Sequence, residues 1–344
     1  GDVYKRQLFA ENGPRWLIAD QAILRCGAAD AVRGSAAPPQ ELRYIVDDAA
    51  AVGLVVESTA LLERLALTPE QRQRLRFVVV LQDELGSLTP AAAGSPMALH
   101  SWAELLACGA GAPPPAVAAA GLATILYTSG TTGQPKGVPL SHANLLHQVR
   151  SLGVAVDGSS GDRVLSVLPI WHAYERSAEY FLLSCGCRQT YTTLKQLRSD
   201  LQTVRPHFVI SVPRLWEALL SGFEDALAAM PKPRRRLITA ALANSRAWSL
   251  ARRRSLDLTL APESPPARLA AAAETLLRWP AHALAQRLIW PKVRSQLVGG
   301  RLRTAISGGG ALAMHVDGFF EAVGIELLVG YGLTETSPVL SVRR

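Results

Sequence analysis

The chain is poor in the residues that staple a fold or thread it through a bilayer. Four cysteines, Cys26, Cys108, Cys185 and Cys187, form neither a disulfide framework nor a zinc spacing. Cys185-Gly186-Cys187 is one residue tighter than a redox pair, so incidental or core thiols in a reducing compartment are expected. No run of about 18 uncharged apolar residues occurs, so no transmembrane helix is expected although mean hydropathy is +0.14. The opening Gly1 to Gln7 has no Met and no apolar signal core, which argues against a secretory leader. It reads as a truncated start, and those first residues need not belong to the natural protein. The histidines carry no ligand spacing, so no structural metal is expected, and no internal repeat is found.

What is present is apolar and unevenly basic. A hydrophobic content of 49% over 344 residues suffices for a large core or two lobes. The net charge of +8 gathers in one segment: residues 231–303 hold fifteen Lys and Arg against three Asp and Glu. The rest is mildly acidic. That argues against a nucleic-acid-coating protein and for a local acidic partner or anionic surface.

Short apolar runs alternate with helical patterns from Phe9 to about residue 111. Helices are expected from Pro14 to Cys26, stopped by Gly27, and from Glu41 to Ala50; strands at Leu54–Val56 and Phe77–Leu81. Such alternation gives an α/β fold with a mostly parallel sheet. Gly109 to Ala120 reads as a linker, which divides the chain into 1–111, 112–120 and 121–344. Beyond it, helices are expected over Ser141–Gly153, His172–Ser184, Lys195–Val204, from Pro213 on, and Ala313–Val323. Strands are expected at Val164–Leu168, Phe208–Val212, Leu302–Ile306 and Ile325–Val329. Residues 231–298 read as an Ala- and Arg-rich helical insertion. Its Leu276–Trp290 segment suits either a helix packed on the body or one lying in a membrane interface.

The chain is organised around Tyr127-Thr128-Ser129-Gly130-Thr131-Thr132-Gly133-Gln134-Pro135-Lys136-Gly137. The stretch follows an apolar run, Leu122–Leu126, that reads as a buried strand. Its glycines let backbone approach an anion, its hydroxyls add donors, and Lys136 adds a point charge. It is not a Walker A loop, because Pro135 precedes the lysine and no helix follows directly. The bland reading is a Gly/Thr-rich surface loop.

This stretch resembles the phosphate loop of the adenylate-forming superfamily. Ser307-Gly308-Gly309-Gly310-Ala311-Leu312 and Gly330-Tyr331-Gly332-Leu333-Thr334-Glu335-Thr336-Ser337-Pro338 match that superfamily in order. Phe9–Trp16 and Leu168–Arg176 look closest to long-chain acyl-CoA and acyl-carrier-protein synthetases of cyanobacteria and plastids. The resemblance implies the large N-terminal α/β domain of these enzymes, incomplete, with a helical insertion. It implies activation of a long-chain fatty acid by ATP with Mg²⁺ to acyl-AMP, then thioester formation with coenzyme A or acyl carrier protein. Thr128, Ser129, Gly130, Thr131, Thr132, Gly133 and Lys136 would hold the β- and γ-phosphates. Gly308, Gly309 and Gly310 would form the adenine turn, with Gly330, Tyr331 and Gly332 flanking the purine. Thr334 would bond the α-phosphate and Glu335 would hold Mg²⁺. Trp171, His172 and Tyr174 would line the acid's entrance. Lys136, His172, Thr334 and Glu335 are the expected catalytic set.

Taken without their neighbours, a lone lysine or glutamate is usually solvated, and a histidine placed like His172 is more often a cap or core partner. Glu175 and Arg176 read as an ordinary exposed pair. The family's ribose-binding aspartate, hinge and small C-terminal domain would follow residue 344, so this piece by itself is expected to be inactive or feeble. The alternative function is a non-catalytic nucleotide- or acyl-adenylate-binding module. The expected compartment is cytoplasm, or plastid stroma if plant-like, with peripheral membrane contact through 231–298 left open.

Overall fold

The computed structural model describes residues 5–82, 97–108, 113–128 and 133–343. The described strands are β1 (Lys5–Phe9), β2 (Ala29–Arg33), β3 (Gly53–Val56), β4 (Phe77–Val80), β5 (Ala98–Ser101), β6 (Leu122–Thr128), β7 (Lys136–Ser141), β8 (Arg163–Ser166), β9 (Arg188–Tyr191), β10 (Phe208–Ser211), β11 (Thr304–Ser307), β12 (Glu326–Gly332) and β13 (Val339–Arg343). The helices are α1 (Pro14–Arg25), α2 (Pro39–Asp48), α3 (Thr59–Leu65), α4 (Pro69–Arg74), α5 (Trp102–Ala107), α6 (His142–Ser151), α7 (Ala173–Ser184), α8 (Leu197–Val204), α9 (Pro213–Ala228), α10 (Lys232–Ser255), α11 (Pro265–Leu288), α12 (Trp290–Val298) and α13 (Met314–Ala322).

Two compact units result. Unit 1 comprises Gly1–Leu152, Pro169–Phe181 and Leu333–Pro338. Its seven-stranded sheet has the order β5-β4-β3-β1-β2-β6-β7, parallel except for the β6–β7 pair. The runs Gly-Leu-Val-Val and Phe-Val-Val-Val are β-branched and buried on both faces, as parallel strands must be when helices cover both sides. Leu8, Val32, Val55 and Val79 fill one face; Phe9, Ala31, Leu54, Val56 and Val78 fill the other. β1, unforeseen in the sequence, is central and pairs with both β2 and β3 from Lys5 or Arg6 onward. Unit 1 runs through residues 112–120, because β6 and β7 complete this first sheet.

Unit 2 comprises Gly153–Leu168, Leu182–Gly332 and Val339–Arg344. Its sheet has the order β13-β12-β11-β10-β8-β9, parallel but for the antiparallel β12–β13 edge. β9 and β10 flank β8 on opposite sides, so the strand order reverses there. In open α/β sheets ligands favour the carboxyl ends of the strands beside such a reversal. Trp216, Phe223, Trp290, Phe319 and Phe320 anchor the core.

Helix ends follow their caps. Ser141, the expected cap, accepts from the Asn144 N–H while Asn144 reaches back to Ser141, closing a capping box. Thr68 with Gln71 and Ser101 with Glu104 do the same at two short helices that the sequence pattern did not reveal. Pro213 sits in the first turn of α9.

The insertion is three helices packed on unit 2. Arg253 of α10 pairs with Glu321 at 2.7 Å and reaches Asp317 on α13. Arg294 of α12 donates to the Val323 carbonyl at 2.6 Å. Trp248 stacks on His282 at 4.0 Å between centroids, and His282 Nδ1 and Trp290 Nε1 both meet Ser245 Oγ. Trp290 is therefore a core residue, not part of an interfacial face. The opposite side of α11 exposes Leu269, Leu276, Leu277, Leu284 and Leu288.

Candidate active site

The two ends of the predicted phosphate loop face each other in unit 1. Thr128 ends β6 and Lys136 begins β7, and the two are paired in register. A strand follows the loop, so a strand–loop–helix phosphate cradle is excluded here. Ser129, Gly130, Thr131 and Thr132 lie outside the described residues. Gly133 has φ +87°, a left-handed conformation that glycine adopts without strain. Lys136 is exposed and has no ion-pair partner among the described residues.

A short 3₁₀ turn, Thr334–Thr336, packs beside β7. It carries Thr334, half-buried, and Glu335, exposed. Elements that carry two sequence motifs nearly 200 residues apart thereby lie side by side in unit 1. The turn is held from below: the Ser177 hydroxyl of α7 donates to the Ser337 carbonyl at 3.3 Å, and the Thr336 side chain bonds the Leu333 N–H at 2.9 Å. Glu335 has no basic partner among the described residues, and no cluster of three His, Cys, Asp or Glu occurs there. One carboxylate suits Mg²⁺, which takes one or two protein oxygens and fills the rest with phosphate and water.

Trp171, His172 and Tyr174 also belong to unit 1, at the entrance to α7. The approach is fixed by Asn12, whose Oδ1 accepts from the Ile170 N–H at 2.9 Å. Trp171 lies against Gly34, just past the end of β2, and any Cβ at Gly34 would overlap the indole. His172 keeps solvent access, yet desolvation lowers its pKa and the Arg33 guanidinium lowers it further. The imidazole is therefore neutral at pH 7, able to offer or accept one hydrogen bond. Tyr174 is half-buried, and burial, with Glu175 nearby, raises its phenol pKa. Asn12 lies in the Phe9–Trp16 stretch but was given no role there, and Gly34 escaped the sequence reading. The only available signal was an isolated glycine just after a strand-like run.

One expectation fails plainly. Glu175 and Arg176 are buried, not exposed. Arg176 points inward from α7 and pairs with Asp20 and, at 2.7 Å, with Asp30, while its Nη1 donates to Thr124 at 2.7 Å and its Nε to Tyr180 at 2.8 Å. A full set of acceptors is what allows a guanidinium to be buried. Desolvation pushes the Asp30 carboxyl up to about 8, opposed by Arg176. This knot ties α7 to α1, β2 and β6, and so fixes the helix that His172 precedes.

Unit 2 carries the other motifs at the carboxyl ends of its strands. β11 ends in Ser307 and turns at Gly308, whose N–H donates to the Ser211 carbonyl at 3.1 Å. Gly309 has φ +74°, and Gly310 lies against Pro213. β12 ends in Gly330, Tyr331 and Gly332; Tyr331 is 62% exposed, its ring free to take a planar ligand. The Ser307 hydroxyl is fully buried with no partner among the described residues.

A profile of AMP-binding enzymes matches residues 7–344. The chain belongs to the AMP-binding enzyme family. It is 40% identical, over 99% of its length, to the probable acyl-activating enzyme 16, chloroplastic, of Arabidopsis thaliana. It is 39% identical, over 98%, to the Arabidopsis chloroplastic long-chain-fatty-acid–[acyl-carrier-protein] ligase AEE15. The chain spans 49% of the length of each, about half. Among solved structures the AMP-bound A-PCP didomain of carboxylic acid reductase from Segniliparus rugosus shares the fold, with a TM-score of 0.67 at 21% identity, covering 98% of this chain and 43% of that one. The N-terminal domain of FACL13 from Mycobacterium tuberculosis does so at 0.61 and 16%, covering 98% and 64%. The AMP-binding fold expected from the motifs is thus the one found.

Proposed function

We propose that this AMP-binding chain supplies the nucleotide- and acid-binding part of a long-chain fatty-acid ligase. The carboxylate attacks the α-phosphate of ATP, forming acyl-AMP and releasing pyrophosphate; a thiol of coenzyme A or acyl carrier protein then displaces AMP. The observation that carries the reading is the meeting of β7, which begins at Lys136, with the turn bearing Thr334 and Glu335. A lysine, a hydroxyl and a carboxylate, none neutralised by a described neighbour, suit a Mg²⁺-bound polyphosphate. Lys136 draws charge from the leaving pyrophosphate. Thr334 donates to the α-phosphate, and Glu335 would hold Mg²⁺, which would supply positive charge against the leaving pyrophosphate. Gly308 to Gly310 and Tyr331 receive the purine.

Neutral His172, beside Trp171 and Tyr174, donates to the acid's oxygen without adding a cation that would trap it. The long-chain acid and the carrier-protein acceptor follow from the name of the Arabidopsis relative AEE15; coenzyme A is the acceptor that the motif resemblance adds. A plastid setting follows from the names of both Arabidopsis relatives. The basic α10 helix, with exposed Arg234, Arg235 and Arg236, suits an acidic carrier protein. The exposed leucines of α11 suit peripheral contact with a membrane surface. No described helix is long and apolar enough to cross a membrane.

The test is ATP–pyrophosphate exchange without thiol, on the chain and on any longer product of its gene. Exchange driven by palmitate, and not by acetate or an amino acid, is expected, with the shorter chain feeble. ATP binding without exchange for any acid would replace the ligase by a binding module. Charge reversal at Arg234, Arg235 and Arg236 should weaken use of acyl carrier protein and spare coenzyme A; equal loss with both would remove the carrier-protein assignment.

A further inference from the structure

Unit 2 contains a groove that none of the ATP or acid motifs touches. It lies between α8, α9 and α12, with Ile238 of α10 at its floor, and its volume is about 620 Å³. That is within the roughly 300–1,000 Å³ of small-molecule sites. Leu197, Leu201, Phe223 and Val293 form apolar walls, and Leu194 stands exposed at the mouth. Its polar groups are few. Gln202 is spent on the Gln296 carbonyl at 2.8 Å, which ties α8 to α12. Arg198 is the one charged residue of the lining, exposed, with no acidic partner among the described residues.

The middle of α9 shows that the space is kept open. Gly222 lines the groove inside a sixteen-residue helix. An added Cβ there would meet nothing within 4 Å, and the backbone φ is not in the left-handed range. Neither packing nor backbone geometry requires glycine, while helix propensity opposes it. Its effect is to leave the groove a clear width, bordered by Ala218 and Ala226.

We infer that this groove binds a single-chain amphiphile with an anionic head, a long-chain carboxylate, its alkyl chain along α9 and its head on Arg198. An apolar trough with one unpaired cation and no carboxylate complements that shape and charge. The choice of a carboxylate over another anionic head rests on the proposed ligase reading. α9 starts at Pro213, against Gly310, so the same helix lines the groove and backs the purine turn. The groove shares no residue with Trp171, His172 or Tyr174, and is a second acyl site.

The experiment is photolabelling of the chain, without ATP, by a palmitate analogue with a diazirine near its methyl end, with the labelled peptides mapped by mass spectrometry. Label is expected on α8, α9 and α12. Unlabelled palmitate should compete, and hexadecanol should compete about tenfold less well. Competition should strengthen with acid chain length by up to about fourfold per methylene until the groove is full. Gly222→Leu, which fills open space, should cut labelling several-fold with the circular dichroism spectrum unchanged, and Arg198→Glu should do likewise; Gly222→Ala should stay within about twofold. Label elsewhere, or undiminished label in Gly222→Leu, overturns the inference, as does equal competition by hexadecanol. Pyrophosphate exchange is read separately: groove labelling without exchange sinks the ligase reading alone, and exchange without groove labelling sinks this one alone.

Discussion

Replacing Arg176 by methionine tests the buried knot beneath the predicted acid entrance. The arginine is fully buried and bonds Asp20, Asp30, Thr124 and Tyr180. It also lies over the Trp16 ring at 5.5 Å. Methionine keeps much of the stem's packing but leaves two carboxyls buried without a cation. Breaking a buried pair this way costs about 3–5 kcal/mol. For a folding unit of this size that lowers the melting temperature by roughly 6–20 °C. Urea and thermal unfolding of both proteins give the number. In melts above pH 8, where the alkaline solution drives Asp30 to ionise, adding Asp30→Asn to Arg176→Met should recover at least about 1 kcal/mol, because it removes a buried carboxyl that Arg176 no longer compensates. A loss below about 1 kcal/mol for Arg176→Met, the value of an exposed pair, would refute the reasoning.

Three further outcomes follow from the same geometry. Because the folded pKa of Asp30 is raised to about 8, above its unfolded value near 3.9, the native state holds the extra proton between those limits. Its contribution is therefore present in full below pH 4 and lost as pH climbs toward 8; Asp30→Asn should flatten that slope in urea melts at pH 5 and 8.5, and an unchanged slope would contradict it. Gly34→Ala should cost about 1–3 kcal/mol by overpacking against Trp171, and Trp171→Phe in the same chain should return more than half; no return would mean that the indole is not the obstacle. His172 should titrate below the ordinary 6.5 by NMR, and Arg33→Gln should raise it, whereas a value at or above 6.5 would remove the neutral imidazole from the account.

The parts of the fold that could be read in the chain are those with strong local rules. The helices at Pro14, Ser141 and Pro213 carry caps or prolines, and the β-branched runs at Leu54 and Phe77 are buried on both faces. β1 was missed because Gly1 to Gln7 reads as a truncated start that need not belong to the natural protein. It is central because its partners cover it, which is a non-local fact. Glu175 and Arg176 were misjudged for the same reason: acceptors from α1, β2 and β6 make burial tolerable, and none is near in sequence. The Leu276–Trp290 stretch packs on the body through Ala285 and the stacked His282, as one of its two readings had it, and its other side exposes leucines. The expected site motifs stand out in the sequence because the proposed phosphate chemistry would need glycine, hydroxyl and lysine in close order. Asn12 and Gly34, which position the acid-side residues, act across more than 130 residues and leave no local mark.

The central claim is that this chain's motifs join a carboxylate to the α-phosphate of ATP. The most direct measurement uses palmitate carrying ¹⁸O in both carboxyl positions, with ATP, Mg²⁺ and a thiol acceptor, followed by mass spectrometry of the AMP released. Attack of the carboxylate on the α-phosphate predicts one ¹⁸O in each AMP. Unlabelled AMP, or release of ADP in its place, would contradict the account.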